Sequence, residues 1–361
     1  MDCAESQSIF NWELHGLAAD YEGMDWAGSN GKRDMKTISS LAKHLPHPLL
    51  CRLYHHVHLR EEAARAAKSA SRAGLPLLES LDLSHSKTSD TLFVLGSAWS
   101  INEISDERWR IIGKHDSVGI NFWPAHPFVP RFFHFENITY GCQPDVYDAF
   151  QLLLKRRSEA YANTVKIVTN ISPPELRQTI FELPEGMKKN LYVTFSMPVP
   201  VRNEEELRAG IRYMRSIGAF APRNKVSWLF KYGGSVIGMM TFAVLMQYKR
   251  VILCGVDLNK HDYFYHHRER YPEFADWEFS SRREAHLTTR RLPWLVPAQS
   301  AVHIFKEMIL DPQGIELFVE NRVSTLYPQV QVAPQSLFEE LALHEASLGN
   351  PTFVSSIANP S

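Results

Sequence analysis

What the chain lacks narrows its class first. Its 361 residues carry 39 Lys and Arg against 40 Asp and Glu, so neither sign of charge predominates. That balance excludes a general nucleic-acid binder, although a local basic patch is compatible with it. No run reaches the roughly eighteen apolar residues that a membrane-spanning helix needs. The opening MDCAESQSIF is acidic and has no apolar centre, so it does not read as a secretory signal. Cysteine is scarce, and Cys3, Cys51, Cys142 and Cys254 show no CxxC spacing. Neither a disulfide framework nor a cysteine-based zinc site is expected, and a reducing cytoplasm is the expected compartment. The GxGxxG dinucleotide turn, the lysine-containing phosphate loop, the GxSxG elbow and the HExxH zinc helix are all missing. No DxD stands near a strand end, which weighs against a metal-bridged sugar diphosphate.

What is present reads as an ordinary globular chain, 44% apolar and 22% charged. Residues 1–88 differ from the rest. Leu41, Leu45, Leu49, Leu50, Leu53 and Tyr54 recur near helical spacing, and 60–74 is rich in helix formers. Pro46 and Pro48 are expected to interrupt this segment into two or three short helices, with Gly74 as a stop. The segment reads as a helical extension capping the main domain, or as a surface for a membrane or a partner. His44, His47, His55, His56 and His58 lie close together, but their spacing alone does not converge them on a metal.

After a polar linker at 84–90 the pattern changes. Short apolar runs at 91–96, 117–123, 131–137, 164–170, 190–196, 251–257 and 315–320 predict buried strands. Helices are predicted between them: one capped by Ser105 or Asp106, then 145–162, one starting at Pro174, 203–218, 235–247 and 298–310. The alternation predicts an α/β fold, a Rossmann-like, mostly parallel sheet flanked by helices. The expected organisation is a helical extension at 1–88, a Rossmann-like domain at 89–335 and a tail at 336–361. A long aromatic and charged stretch at about 258–297 has no clean periodicity and is expected to be a lid loop.

Four places are candidates for chemistry. Gly96-Ser97-Ala98-Trp99-Ser100 follows the first strand, where a glycine turn and free amides can hold a phosphate. Asn121 ends the second strand, and its amide can both donate and accept. Gly233-Gly234-Ser235 opens a nearly all-apolar helix. Asp257 and Asn259 end a late strand, with Tyr263, Tyr265 and His286 in the loop beyond. Tyrosine hydroxyls suit a departing phosphate, and histidine suits a general base. Each place also has a plain reading, as a turn, a cap or a solvated loop. His266 and His267 read as surface residues.

Together these motifs resemble the bacterial, metal-independent, Rossmann-like sialyltransferases that use CMP-sialic acid. FVLGSAWSINEI resembles the family's first G-x-G-P-S turn, keeping Gly96 and Ser100, with Ser97 in place of the usual Asn and Trp99 in place of Pro. GINFW puts Asn121 where the family's nucleotide-binding Asn stands. GSVIGMMTFAVLMQYKRVILCGVDL is the best match, placing Ser235, Tyr248-Lys249 and Gly255-Asp257 on the family's Ser, Tyr-Lys and Gly-x-Asp. The resemblance spans about 91–326 and has no counterpart for 1–88.

It implies an inverting transfer of an acidic sugar (sialic acid, Kdo or a related nonulosonate) from a CMP donor to a glycan or glycolipid. Gly96, Ser97, Ser100, Asn121, Gly234, Ser235, Asp257 and Asn259 would shape the donor site. Tyr263 or Tyr265 would assist phosphate departure, and His286 would be the base, with His303 a weaker candidate. Beyond the donor substrate it implies no cofactor and no metal. The expected setting is cytoplasmic, at or near the inner membrane face. Two other readings stay open: a transferase using another nucleotide donor, and a nucleotide- or glycan-binding protein without catalysis.

Overall fold

The apolar runs become the strands of one large sheet. The computed structural model describes residues 46–223, 225–259, 262–274 and 296–343. The strands are β1 (Thr91–Leu95), β2 (Asp116–Ile120), β3 (Phe132–Glu136), β4 (Val165–Thr169), β5 (Leu191–Val193), β8 (Arg250–Cys254), β9 (Glu316–Val319) and β10 (Gln331–Val332). They lie in the order β10-β9-β8-β1-β2-β3-β4-β5, and every neighbouring pair is parallel. Two further strands, β6 (Phe195–Met197) and β7 (Trp228–Phe230), form a separate parallel pair. All residues of β1 and β2 are buried, as both-face coverage by helices requires. The α/β, Rossmann-like expectation is therefore met.

The helices are α1 (His47–Ala73), α2 (Asp106–Lys114), α3 (Pro144–Arg157), the short α4 (Glu185–Lys188), α5 (Glu204–Ser216), α6 (Ser235–Leu245), α7 (Ala298–Phe305) and α8 (Gln335–Leu343). Ser105 caps α2 by accepting from the Arg108 amide, and Asn203 caps α5 through Glu206. Gly74 ends α1 in the left-handed conformation.

Three expectations need correction. Within the described part of the extension, Pro46 and Pro48 do not break the chain into short α-helices: His47–Ala73 is one helix of 27 residues, because Pro46 precedes it and Pro48 lies in its first turn, where a proline's fixed φ and missing N–H cost nothing. Residues 1–45 of the extension lie outside the described residues. No helix starts at Pro174. The Gln178 side chain instead bonds the Ser172 amide and the carbonyls of Ser172 and Pro173, so that loop's backbone is satisfied without one. The single strand expected at 190–196 splits at Thr194. Its amide donates to Val168 O of the main sheet, and its hydroxyl donates to Ser227 O beside the small sheet.

Residues 46–88 pack on the main domain as a cap. Ala66 and Ala70 of α1, with Leu75, Leu78 and Leu83, join the same buried cluster as the sheet. His47 reaches Pro200 O at 2.8 Å, and Ser69 donates to Ser172 O. Among the described residues, no helix is long and apolar enough to cross a membrane.

Candidate functional site

Strand order locates the site. From β1 the chain winds outward through β2, β3, β4 and β5, then returns to β8 on the other side of β1. The loops leaving β1 and β8 therefore part at a switch point, where open α/β sheets bind ligands beyond their strands' carboxyl ends. In this chain the seam between those loops is closed. Gly96 N donates to Cys254 O at 2.7 Å, Ala98 N to Gly255 O at 3.0 Å, and Phe264 N to Ser97 O at 2.9 Å. A Cβ at Gly96 would stand 2.4 Å from Gly255 O, and one at Gly255 would stand 2.5 Å from Ile101 Cγ1. The glycine of the first turn thus admits the neighbouring loop's backbone.

The side chains expected in this turn are used in the same closure. Ser100 is buried, and both its hydroxyl (2.6 Å) and its amide (3.2 Å) donate to the buried Asp257 carboxylate. Asn259 donates to Val323 O at 2.7 Å, tying down the turn after β9. Ser97 is half-buried at the rim.

Other candidate residues gather beside the seam, over β2, β3 and β4, where Asn121, Glu136 and Asn170 are half-buried and Lys231 and Ser235 are buried. Asn121 follows β2 with a left-handed φ of 52°, and its Oδ1 accepts from the Glu136 amide at 3.3 Å. Glu136 ends β3, with its side chain 16% exposed. It accepts from Lys231 Nζ at 3.0 Å, Ser235 Oγ at 2.6 Å and Asn170 Nδ2 at 2.8 Å. Asn170 follows β4 in the same left-handed conformation, and Lys231 follows β7.

Burial alone would raise the Glu136 carboxyl's pKa. The Lys231 ammonium and the Ser235 hydroxyl outweigh it and hold the group below the usual carboxylate range. Beneath it on the same strand face is His134, wholly buried, with Nε2 on Thr169 Oγ1 at 3.0 Å and Nδ1 without a partner. Burial pulls its pKa down to about 4, so the ring is neutral at pH 7.

Ser235 belongs to this group because of the turn before it. Gly233 and Gly234 have φ of 67° and 137°, positive values that favour glycine. They swing the chain from Lys231 into α6, whose N-terminal amides then face the sheet's carboxyl edge. Tyr232, Gly233, Gly234, Leu258 and Ala298, with Val236, Ile237 and Val302, line a small, mostly apolar cleft alongside.

The two candidate tyrosines separate by burial. Their rings stack at 5.2 Å, but Tyr265 is 2% exposed within an aromatic cluster that includes Phe122 and Phe274, whereas Tyr263 is half-buried. Tyr263 N donates to His266 Nδ1 at 3.3 Å. His266 is thus half-buried against both rings, and burial lowers its pKa. His267 stacks on Trp99 with ring centroids 5.3 Å apart. His286 and most of the expected lid lie outside the described residues. His303 sits in α7 with Nε2 3.4 Å from Leu326 O. Of the N-terminal histidines, His44 lies outside the described residues. His47, His55 and His58 turn to Pro200, Tyr213 and Tyr54 respectively, so these three do not share a centre.

Sequence reasoning found Asn121, Gly234 and Ser235 of this group but missed Glu136, Asn170, Lys231 and His134. The signal available for Glu136 and Asn170 was position: each stands at the carboxyl end of a predicted strand. Compared with known protein families, curated proteins and solved structures, the chain matches none.

Proposed function

We propose that the chain is an inverting glycosyltransferase, resembling the CMP-sialic-acid-dependent sialyltransferases, that moves an acidic sugar from a CMP donor to a glycan or glycolipid acceptor. One observation carries the reading most. A Gly-Gly-Ser turn opens an apolar 11-residue helix at the carboxyl edge of a parallel sheet, beside Asn121, Asn170 and Lys231. Helix amides, small residues and amide side chains at such an edge are groups that suit a nucleoside monophosphate.

In this reading the acceptor hydroxyl attacks the anomeric carbon as the bond from that carbon to the phosphate oxygen breaks. CMP leaves with the bonding electrons, and the hydroxyl proton passes to a base. The N-terminus of α6 and the Tyr263 hydroxyl stabilise the leaving phosphate. His286 takes the proton, a task suited to an imidazole titrating near neutrality. Ser100 and Asp257 act indirectly by holding the two loops together. We place the enzyme on the cytoplasmic side of a membrane, where lipid-linked glycans are built.

A thermal-shift panel of CMP, UDP, GDP and ADP tests the donor class, because a ligand of the native state raises the melting temperature. CMP alone should raise it. Stabilisation by UDP or GDP in place of CMP assigns another donor. The closed Ser100–Asp257 pair and the buried Tyr265 favour a second reading, nucleotide or glycan binding without catalysis. Slow CMP release from the donor in the absence of acceptor would exclude that reading. His286→Ala should keep CMP binding and lose transfer by about a hundredfold or more, and near-normal turnover would remove His286 from the mechanism.

A further inference from the structure

The first turns of α1 carry a surface that the site does not use. Leu49, Leu53 and Val57 are 48%, 36% and 39% exposed, three of the eight large exposed hydrophobic residues among those described. They recur at every fourth position, so at 3.6 residues per turn they form one continuous row. Arg52, His56 and Arg60 recur with the same spacing, and all three are exposed. They form a second row beside the first. No acidic residue occurs from Pro46 to Arg60, and the first, Glu61, comes a turn beyond Val57. The opposite side of the helix is occupied: Cys51 is buried, and His55 packs against Tyr213 and Trp228. An exposed apolar row flanked by a cationic row, on a helix pinned from behind, is the arrangement that lies flat in the headgroup layer of a bilayer. A protein partner of ordinary composition would give no reason for acidic residues to be missing over the whole segment. An anionic lipid surface does, since it attracts each cation held close to it.

We infer that the amino-terminal half of α1 is a peripheral docking surface for anionic membranes, inserting Leu49, Leu53 and Val57 and setting Arg52 and Arg60 against lipid phosphates. The inference is independent of the nucleotide reading, because α1 shares no residue with that site.

Flotation of the full chain with vesicles tests it. The protein should float with vesicles containing phosphatidylglycerol and stay behind with phosphatidylcholine alone. High salt should release it, since screening shortens the reach of the charges to a few ångströms. Arg52→Glu/Arg60→Glu and Leu49→Ser/Leu53→Ser/Val57→Ser should each lower the floated fraction about tenfold or more. CMP binding by these variants should stay unchanged. Failure of the wild type to float, equal flotation with neutral lipid, or flotation of both variants like the wild type would overturn the inference. So would a wild-type dimer in sedimentation that the serine variant splits, which would give the row to a second copy. The salt arm uses the unmodified chain and stands even where a variant folds poorly.

Discussion

Glu136 shows how much one strand-end residue can organise. Its carboxylate gathers a buried lysine, the first residue of α6 and an asparagine from the next strand, while its amide is held by Asn121. Sequence alone did not reveal it, because a glutamate at a strand end looks like any solvated carboxylate until β7 delivers Lys231 to it. His134, below it, carries a clear pH signature. In the folded chain its pKa is about 4 against an ordinary value near 6.5. The unfolded chain therefore binds a proton that the folded chain refuses in that interval. Stability is complete above pH 6.5, is lost as pH falls toward 4, and levels off below, a change of roughly 3 kcal/mol from this group. Burial pulls the buried His126 down further, to about 3, and adds to the same slope. The depressed Glu136 carboxyl adds a loss that begins only below its own unfolded value. Urea unfolding between pH 7 and pH 4 measures the sum. His134→Gln should flatten the slope between 6.5 and 4, and an unchanged slope would show that His134 is already solvated.

At the scale of elements, the glycines at turns do two different jobs. Gly74 ends α1 at φ 67°, and a Cβ there would meet nothing within 4 Å. Gly74→Ala should therefore cost only the left-handed conformation, about 1 kcal/mol. Gly96 faces backbone that cannot move without breaking the seam, so Gly96→Ala should cost about 3 kcal/mol or prevent folding. Denaturant midpoints of the two variants check the contrast, and equal losses would contradict it.

Periodicity made most elements visible: the apolar runs gave seven strand positions, and Ser105, Asn203 and Gly74 bounded helices as their chemistry suggests. It failed where a long-range contact overrode the local pattern. Gln178 replaced a helix at Pro174, and Thr194 split one apolar run between two sheets. The strand β7 was also missed, since Trp228–Phe230 is too short to stand out from its surroundings.

At the scale of the whole molecule, winding order determines where a ligand can sit. The sequence places Gly96, Asn121, Ser235 and Asp257 at strand or helix ends but cannot say which ends adjoin. With β1 between β2 and β8, Gly96 and Asp257 close a seam, whereas Asn121 and Ser235 converge on Glu136 beside it. We propose that this second group receives a CMP donor. Calorimetric titration of the full chain with CMP, against UDP and with EDTA present, tests it most directly, with Ser235→Ala alongside. CMP should bind while UDP does not, and loss of the Ser235 hydroxyl should weaken CMP about tenfold. Absence of CMP binding, or equal binding by Ser235→Ala and the wild type, would contradict it.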